Sequence, residues 1–492
     1  MRFLQKLVAA PLVLAATLVP ITSAVAAPTT SAAEANAVTN VPISFQVQNL
    51  NRSNVACESD GKTYTVRGHL IAPANIASSS NAVTLYLHGL GFGEFFWNFD
   101  DVAGYNYAEN QARAGLTSVV IDRLGYDSSD KPEGDAICAG SRADIAHQMV
   151  EALRSGSYQV ASAQPTSFDK VILAGHSYGG QIAEIAAQSF GNIDGLVVVA
   201  YSDIVVSKLA EDAIAYTTTI CANGGLTAEG GEVGMYAPFG NPSGAEGALF
   251  ADTDPAVLAS ALPKLNINPC ADQVPFPDVA AETVLLLDKI TVPVHLVFGG
   301  SDALFPPPAA EEQASLFENS AAVTADTIAG AGHALTLERS HSQFEASIAA
   351  FIRSVAPSTA PPTTPSDNAG TLLNGGVNAR LTSLEASLAA LVATLPAEQR
   401  DFATSRFEED LSELRAFESS DNRNDTVAAF DSVKSSAINA LNQSKDALAD
   451  RLNRSDTDSD VRNNFFNNFN NSVAETSNQL EQLKNSYAAT AE

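Results

Sequence analysis

Between about residues 41 and 355, short apolar runs alternate with stretches of helical periodicity. Eight runs have strand length: "ISFQVQ", "YTVRGHLI", "VTLYLHG", "LTSVVID", "KVILAG", "GLVVVA", "VPVHLVFGG" and "AVTADTIAG". Several are almost wholly apolar, which is the pattern of parallel strands covered by helices on both faces. Helical periodicity in the gaps, as at 143–154 and 181–190, completes a strand–helix alternation. It predicts an α/β domain with a mainly parallel sheet over 41–356. One gap is far longer than the rest. About ninety residues, rich in Gly, Pro and Ala, separate Ala200 from Val292. A connection of that length predicts a lid or cap insertion over 201–290.

The pattern changes after Val355. "APSTAPPTTPSDNAG" reads as the core of a Pro/Thr/Ser linker assigned to 357–374. Beyond it, Leu381, Leu384, Leu388, Leu391 and Leu395 repeat at three-then-four spacing, and further apolar stripes follow. They predict an all-α bundle or short coiled coil over 375–490. This region has no histidine, so a structural role or a cell-envelope or protein partner is expected of it. At the other end, "MRFLQKLVAAPLVLAATLVPITSAVAAP" combines Arg2 and Lys6 with an apolar run over 7–21 and small residues before Ala27. That predicts a secretory signal peptide over 1–27. The run is too short for a membrane span and contains Pro11 and Pro20. The mature protein is therefore expected to be secreted or held at the cell surface without a transmembrane anchor.

Composition sharpens this. Asp and Glu total 56 against 27 Lys and Arg, a formal net charge of -29, which argues against nucleic-acid partners. The four cysteines, Cys57, Cys138, Cys221 and Cys270, form no Cys-x-x-Cys pair, so no zinc site is expected. An even count in an exported chain predicts two disulfides. Spacing does not dictate their connectivity. Because Cys221 and Cys270 share the insertion, Cys57–Cys138 and Cys221–Cys270 are the expected pairs.

The candidate chemistry begins at Gly175-His176-Ser177-Tyr178-Gly179. A strand-like run precedes this Gly-x-Ser-x-Gly and a helix-like run follows, which is the setting a nucleophile elbow requires. The serine there is held in a strained backbone conformation, and glycines two positions either side avoid a clash. A serine hydroxyl needs a base oriented by an acid. In the order Ser…Asp…His, Asp302 stands just beyond "VPVHLVFGG" and His333 lies in a Gly-rich turn after the last strand. Asp203, after "GLVVVAY", is the alternative acid. Of the other histidines, His176 adjoins the serine and is expected to point away. His69, His147, His295 and His341 fall within strands or helices as packing residues, and His88 belongs to "LHGLG". Two backbone N–H groups are needed for an oxyanion. Tyr178 and Leu90 are the candidates, with Gly91 as the alternative to Leu90. Phe92, Phe95, Phe96 and Trp97 follow at once, and read equally as an acyl pocket or as core.

"LHGLG", "DRLGYDSSDKP", "GHSYGG", "GGSDALFPP" and "GAGHA" occur in an order and at distances that resemble the α/β-hydrolase family over about 41–355. Asp127 departs from the family pattern, standing where a second glycine is usual. The resemblance implies a Ser177-His333-Asp302 triad, and an esterase, lipase, amidase or related acyl-transfer activity. The family branches that cleave epoxides and haloalkanes carry Asp at the elbow, and Ser177 excludes them. The expectation is an exported carboxylic-ester hydrolase working through an acyl-enzyme on a small-molecule or lipid acyl substrate, with no cofactor or metal. An amidase, peptidase or envelope acyltransferase is the first alternative, and a non-catalytic adhesion or scaffold protein the second.

Overall fold

In the computed structural model, the described residues are 37–357, except 75–80, 162–163 and 231, with scattered positions between 392 and 473. The chain opens with two long strands, β1 (Val38–Gln48) and β2 (Thr63–Pro73), followed by β3 (Ala82–Leu87), α1 (Tyr107–Arg113) and β4 (Ser118–Asp122). Next come α2 (Ala139–Ser155), a two-residue β5 (Gln159–Val160), β6 (Lys170–His176), α3 (Tyr178–Phe190) and β7 (Gly195–Val199). An inserted segment then carries α4 (Lys208–Ala222), β8 (Tyr236–Ala237), α5 (Ala245–Leu249), α6 (Pro255–Ala261), β9 (Asn268–Pro269), α7 (Cys270–Gln273) and α8 (Phe276–Thr283). The chain rejoins the sheet with β10 (Val294–Gly299), α9 (Ala309–Ala314), β11 (Val323–Ile328) and α10 (His341–Val355).

Nine strands form one sheet in the order β11-β10-β7-β6-β3-β4-β2-β1-β5. The pairs from β11 across to β4 are parallel, whereas β2 runs antiparallel to β4 and to β1. Burial follows topology. Every residue of β3, β4, β7 and β10 is buried, as befits mostly apolar strands with helices on both faces. β1 instead alternates along its second half, and the polar β11 closes one edge largely exposed. The helices α2 and α3 pack together, as do α1 and α10.

Two helices start earlier than their periodicity predicts. α2 begins at Ala139 because Cys138 and Ser141 form a reciprocal cap, the Cys138 N–H donating to Ser141 Oγ at 3.1 Å. α3 begins directly after Ser177, and its first turn contains Gly179 and Gly180, which are poor helix formers and mask the start. The two-residue β5 is too short to leave any periodic signal.

Both expected disulfides are present, Cys57–Cys138 and Cys221–Cys270. The second joins the end of α4 to the start of α7 around a small cluster of Cys221, Ala237 and Cys270, with Ile220 and Met235 against it. A patch this small contributes little burial energy, and the cross-link compensates by restricting the unfolded chain. The signal-peptide and linker segments, and most of the expected C-terminal helices, lie outside the described residues. Of that region, Phe407 and Phe469 are buried with their rings 5.2 Å apart.

Candidate active site

Ser177, Asp302, His333 and Leu90 follow the C-terminal ends of β6, β10, β11 and β3. These strands run parallel in one sheet, with β7 between β10 and β6, so all four residues reach the same edge. That edge is where open α/β sheets bind their ligands.

Ser177 has φ 53° and ψ -125°, outside the regions a serine ordinarily occupies. The backbone turns so sharply that a Cβ on Gly175 would stand 2.0 Å from the Gly179 oxygen, and one on Gly179 would stand 2.5 Å from the Leu87 oxygen. Both glycines of the motif are therefore sterically required. The "LHGLG" loop lies directly against this turn, since a Cβ on Gly89 would meet Ser177 Cβ at 2.8 Å. His88 closes that loop. Its Nε2 accepts the Arg123 N–H at 3.0 Å and its Nδ1–H reaches the Gly89 carbonyl at 2.9 Å.

His333 Nδ1 lies 2.9 Å from Asp302 Oδ2, and both side chains are buried. The other Asp302 oxygen accepts the Leu304 and Phe305 N–H groups at 2.8 and 3.1 Å. A carboxylate held this way fixes the imidazole with its proton on Nδ1 and leaves Nε2 as the basic atom. Asp203, the other acid considered, is engaged elsewhere. Its carboxylate accepts from the Tyr201 hydroxyl at 2.6 Å and from Gln313 Nε2 at 2.8 Å. The same Gln313 nitrogen donates to the buried Glu184 at 3.0 Å.

That second carboxyl pair has its own consequence. Burial, with the Asp203 carboxylate beside it, raises Glu184 well above the usual carboxylate range, and burial pushes Asp203 up to about 6. The folded protein thus holds protons that the unfolded chain has released. Stability from this pair is complete below the normal carboxylate range; the Asp203 share is lost as pH rises through about 6, and the Glu184 share well above the usual carboxylate range. Glu184→Gln is expected to flatten that decline, so that its melting temperature gains on the wild type at pH 8 but not at pH 4 in thermal denaturation.

Three further residues, which motif reading assigns no function, join the site. His176 is fully buried and points its Nε2–H at the His333 carbonyl oxygen, 3.0 Å away. Its ring stacks on Phe96 at 4.0 Å, and burial holds it well below the ordinary histidine range, hence neutral. It thereby supports the backbone of the candidate base. Glu338 is buried and collects four donors: Gly332 N–H at 3.0 Å, Ala251 N–H at 2.9 Å, Asp252 N–H at 2.8 Å and Thr253 Oγ1 at 2.9 Å. It ties the inserted segment to the residue preceding His333. Glu338→Ala leaves these donors unpaired, with an expected loss of about 2–4 kcal/mol in urea unfolding. Asn268, also buried, accepts the Gly91 N–H on Oδ1 at 2.6 Å. This commits Gly91 and separates it from Leu90.

Two cavities flank the loop. One, of about 520 Å³, has Leu90 in its wall with Leu209, Tyr216, Phe239, Leu249 and Leu265. The other, of about 550 Å³, is polar and includes Asp127, Lys131, Glu229 and Lys264. Asp127, at φ 32°, accepts from Asn266 of the inserted segment at 2.8 Å. Of the aromatic run, Phe92, Phe96 and Trp97 are fully buried core, and Phe95 lines the polar cavity.

The model of the alpha/beta hydrolase family matches residues 85–346, more than half of the chain. The chain belongs to this family. Among solved structures it is similar to a thermophilic esterase from Thermogutta terrifontis, with 17% identity over 63% of this chain and 99% of that one, at a TM-score of 0.45. It is likewise similar to a monoacylglycerol lipase from Paleococcus ferrophilus, with 17% identity over 57% of this chain and 96% of that one, at a TM-score of 0.41. No curated protein matches the sequence. Among the described residues, no helix of this alpha/beta hydrolase is long and apolar enough to cross a membrane.

Proposed function

We propose that the protein is an exported serine hydrolase that cleaves carboxylic esters. The observation that carries this reading is the buried Asp302–His333 hydrogen bond of 2.9 Å, at the sheet edge where Ser177 stands in its strained turn. Ser177 Oγ attacks the acyl carbon while His333 Nε2 takes its proton. Asp302 stabilises the imidazolium that results. The Leu90 and Tyr178 N–H groups stabilise the oxyanion. The Tyr178 N–H is the first of α3 and has no partner within the helix. Collapse expels the alcohol, which takes its proton from His333. Water, deprotonated by His333, then attacks the acyl-enzyme and releases the acid.

The segment over 201–290 acts as the cap, and its apolar cavity beside Leu90 receives the acyl group. Export agrees with two disulfides and no free cysteine among the described residues. The C-terminal region serves attachment to an envelope or protein partner. The test is labelling with a fluorophosphonate probe, with the modified residue located by mass spectrometry, beside hydrolysis of p-nitrophenyl esters of increasing chain length. Modification at Ser177 and ester turnover are expected. Absence of both sinks the reading, and turnover of anilides in preference to esters moves it to an amidase.

A further inference from the structure

Two buried polar residues of the inserted segment reach past their own helices into the hydrolase core. Asn268 opens a two-residue strand and Asp272 lies in the short α7, with Cys270 between them. Neither has any exposed surface. Asn268 Oδ1 accepts the Gly91 N–H at 2.6 Å and lies 3.1 Å from the Tyr126 hydroxyl, and its Nδ2 donates to the Ala237 carbonyl at 3.3 Å. Asp272 accepts from Arg142 Nε, from the Tyr178 hydroxyl at 3.2 Å and from the Tyr126 hydroxyl at 3.1 Å. It also pairs with Arg123 at 3.6 Å. Arg123 in turn donates to the Gly89 carbonyl at 3.3 Å, and its guanidinium carbon lies 5.2 Å from the centre of the Tyr178 ring.

These contacts converge on two backbone positions. Leu90 is flanked by Gly89, which Arg123 holds, and by Gly91, which Asn268 holds. Tyr178 is held at its hydroxyl by Asp272. Two buried guanidiniums against one carboxylate also leave a surplus positive charge next to both residues. Burial this complete makes such a charge far more effective than it is in water.

We propose that Asn268 and Asp272 are positioning residues of the oxyanion hole, aiming the Leu90 and Tyr178 N–H groups from the inserted segment. The hydrolase core alone then has an incomplete hole, and the insertion completes it. This rests on the oxyanion assignment made under the proposed function.

The test uses the full-length protein and an ester that it cleaves. Asn268→Ala is expected to lower kcat by about ten- to a hundredfold, less than outright loss of a donor, with KM little changed. Affinity for a tetrahedral mimic such as an alkyl trifluoromethyl ketone should fall by the same factor. Tyr178→Phe removes only the hydroxyl held by Asp272. It should show the same paired loss on a smaller scale, and serves if Asn268→Ala does not fold. Unchanged kcat and analogue affinity in a folded Asn268→Ala overturns the proposal. So does a rise in KM alone. Ser177→Ala in the same assay separates the two readings: if it still turns over, the proposed function fails, whereas if it is dead and Asn268→Ala is normal, only this inference fails.

Discussion

Ser177→Ala is expected to reduce kcat for the preferred ester by about 10⁴- to 10⁶-fold, the range seen when an acyl-enzyme mechanism loses its nucleophile. The loss should come without unfolding. Alanine keeps a Cβ at φ 53°, so it inherits the strain of the native serine and little changes in the packing. Ser177→Gly should be equally inactive but more stable by about 1 kcal/mol, because glycine occupies that backbone region without penalty. Steady-state kinetics and melting temperatures of the two variants, compared with the wild type, check both parts. A Ser177→Ala protein with near-normal turnover would remove Ser177 from the mechanism.

The largest effect on stability is expected at Asp272. Removing its carboxylate leaves Arg123 and Arg142, each with a side chain only 3% exposed, without their counter-charge. It also strips the Tyr126 and Tyr178 hydroxyls of a partner. Uncompensated charge at such depth costs about 3–5 kcal/mol. Asp272→Ala is therefore expected to shift the urea midpoint strongly downward. Asp272→Asn should be intermediate, since an amide oxygen still accepts one or two of the hydrogen bonds. Trp97, the chain's one tryptophan, is fully buried in the hydrolase core and offers a fluorescence signal for the transition. A midpoint unchanged in Asp272→Ala would mean that the two arginines find solvent or other acceptors.

The parts of the site that sequence reading finds are those whose chemistry is compressed into a few adjacent residues. The elbow is legible because strain at Ser177 forces glycine at 175 and 179. Asp302 is legible because it stands just past an apolar strand, and His333 because it lies in a Gly-rich turn after the last strand. The connectivity of the disulfides follows from two cysteines sharing one insertion. The sheet is legible from its mostly apolar strands, but not the starts of α2 and α3, where a Cys138–Ser141 cap and two glycines obscure the boundary. The supporting residues are not legible, for a reason of distance. Asn268 meets Gly91 across 177 positions, and Arg142 meets Asp272 across 130. Nothing in "NPCADQVP" marks Asn268 or Asp272 as buried, and Glu338 reads as one more surface acid after a turn. Only the fold brings their partners to them.

The attachments of the inserted segment have a kinetic consequence. Its middle is pinned to the core by Glu338 at Ala251–Thr253, its later part by Asn268 and Asp272, and its β8 strand by the Tyr236 hydroxyl on the Pro132 carbonyl at 2.8 Å, while the Cys221–Cys270 bridge ties its first helix to that later part. A segment fastened to the core at three places is not expected to swing away as one body at an oil–water boundary. Under the proposed function, substrate is then expected to arrive as single dissolved molecules at the cavity beside Leu90, whose wall includes Leu209 and Tyr216, 45% and 40% exposed. Turnover then follows monomer concentration smoothly and levels off where a poorly soluble ester begins to form droplets, with no jump in rate at that point.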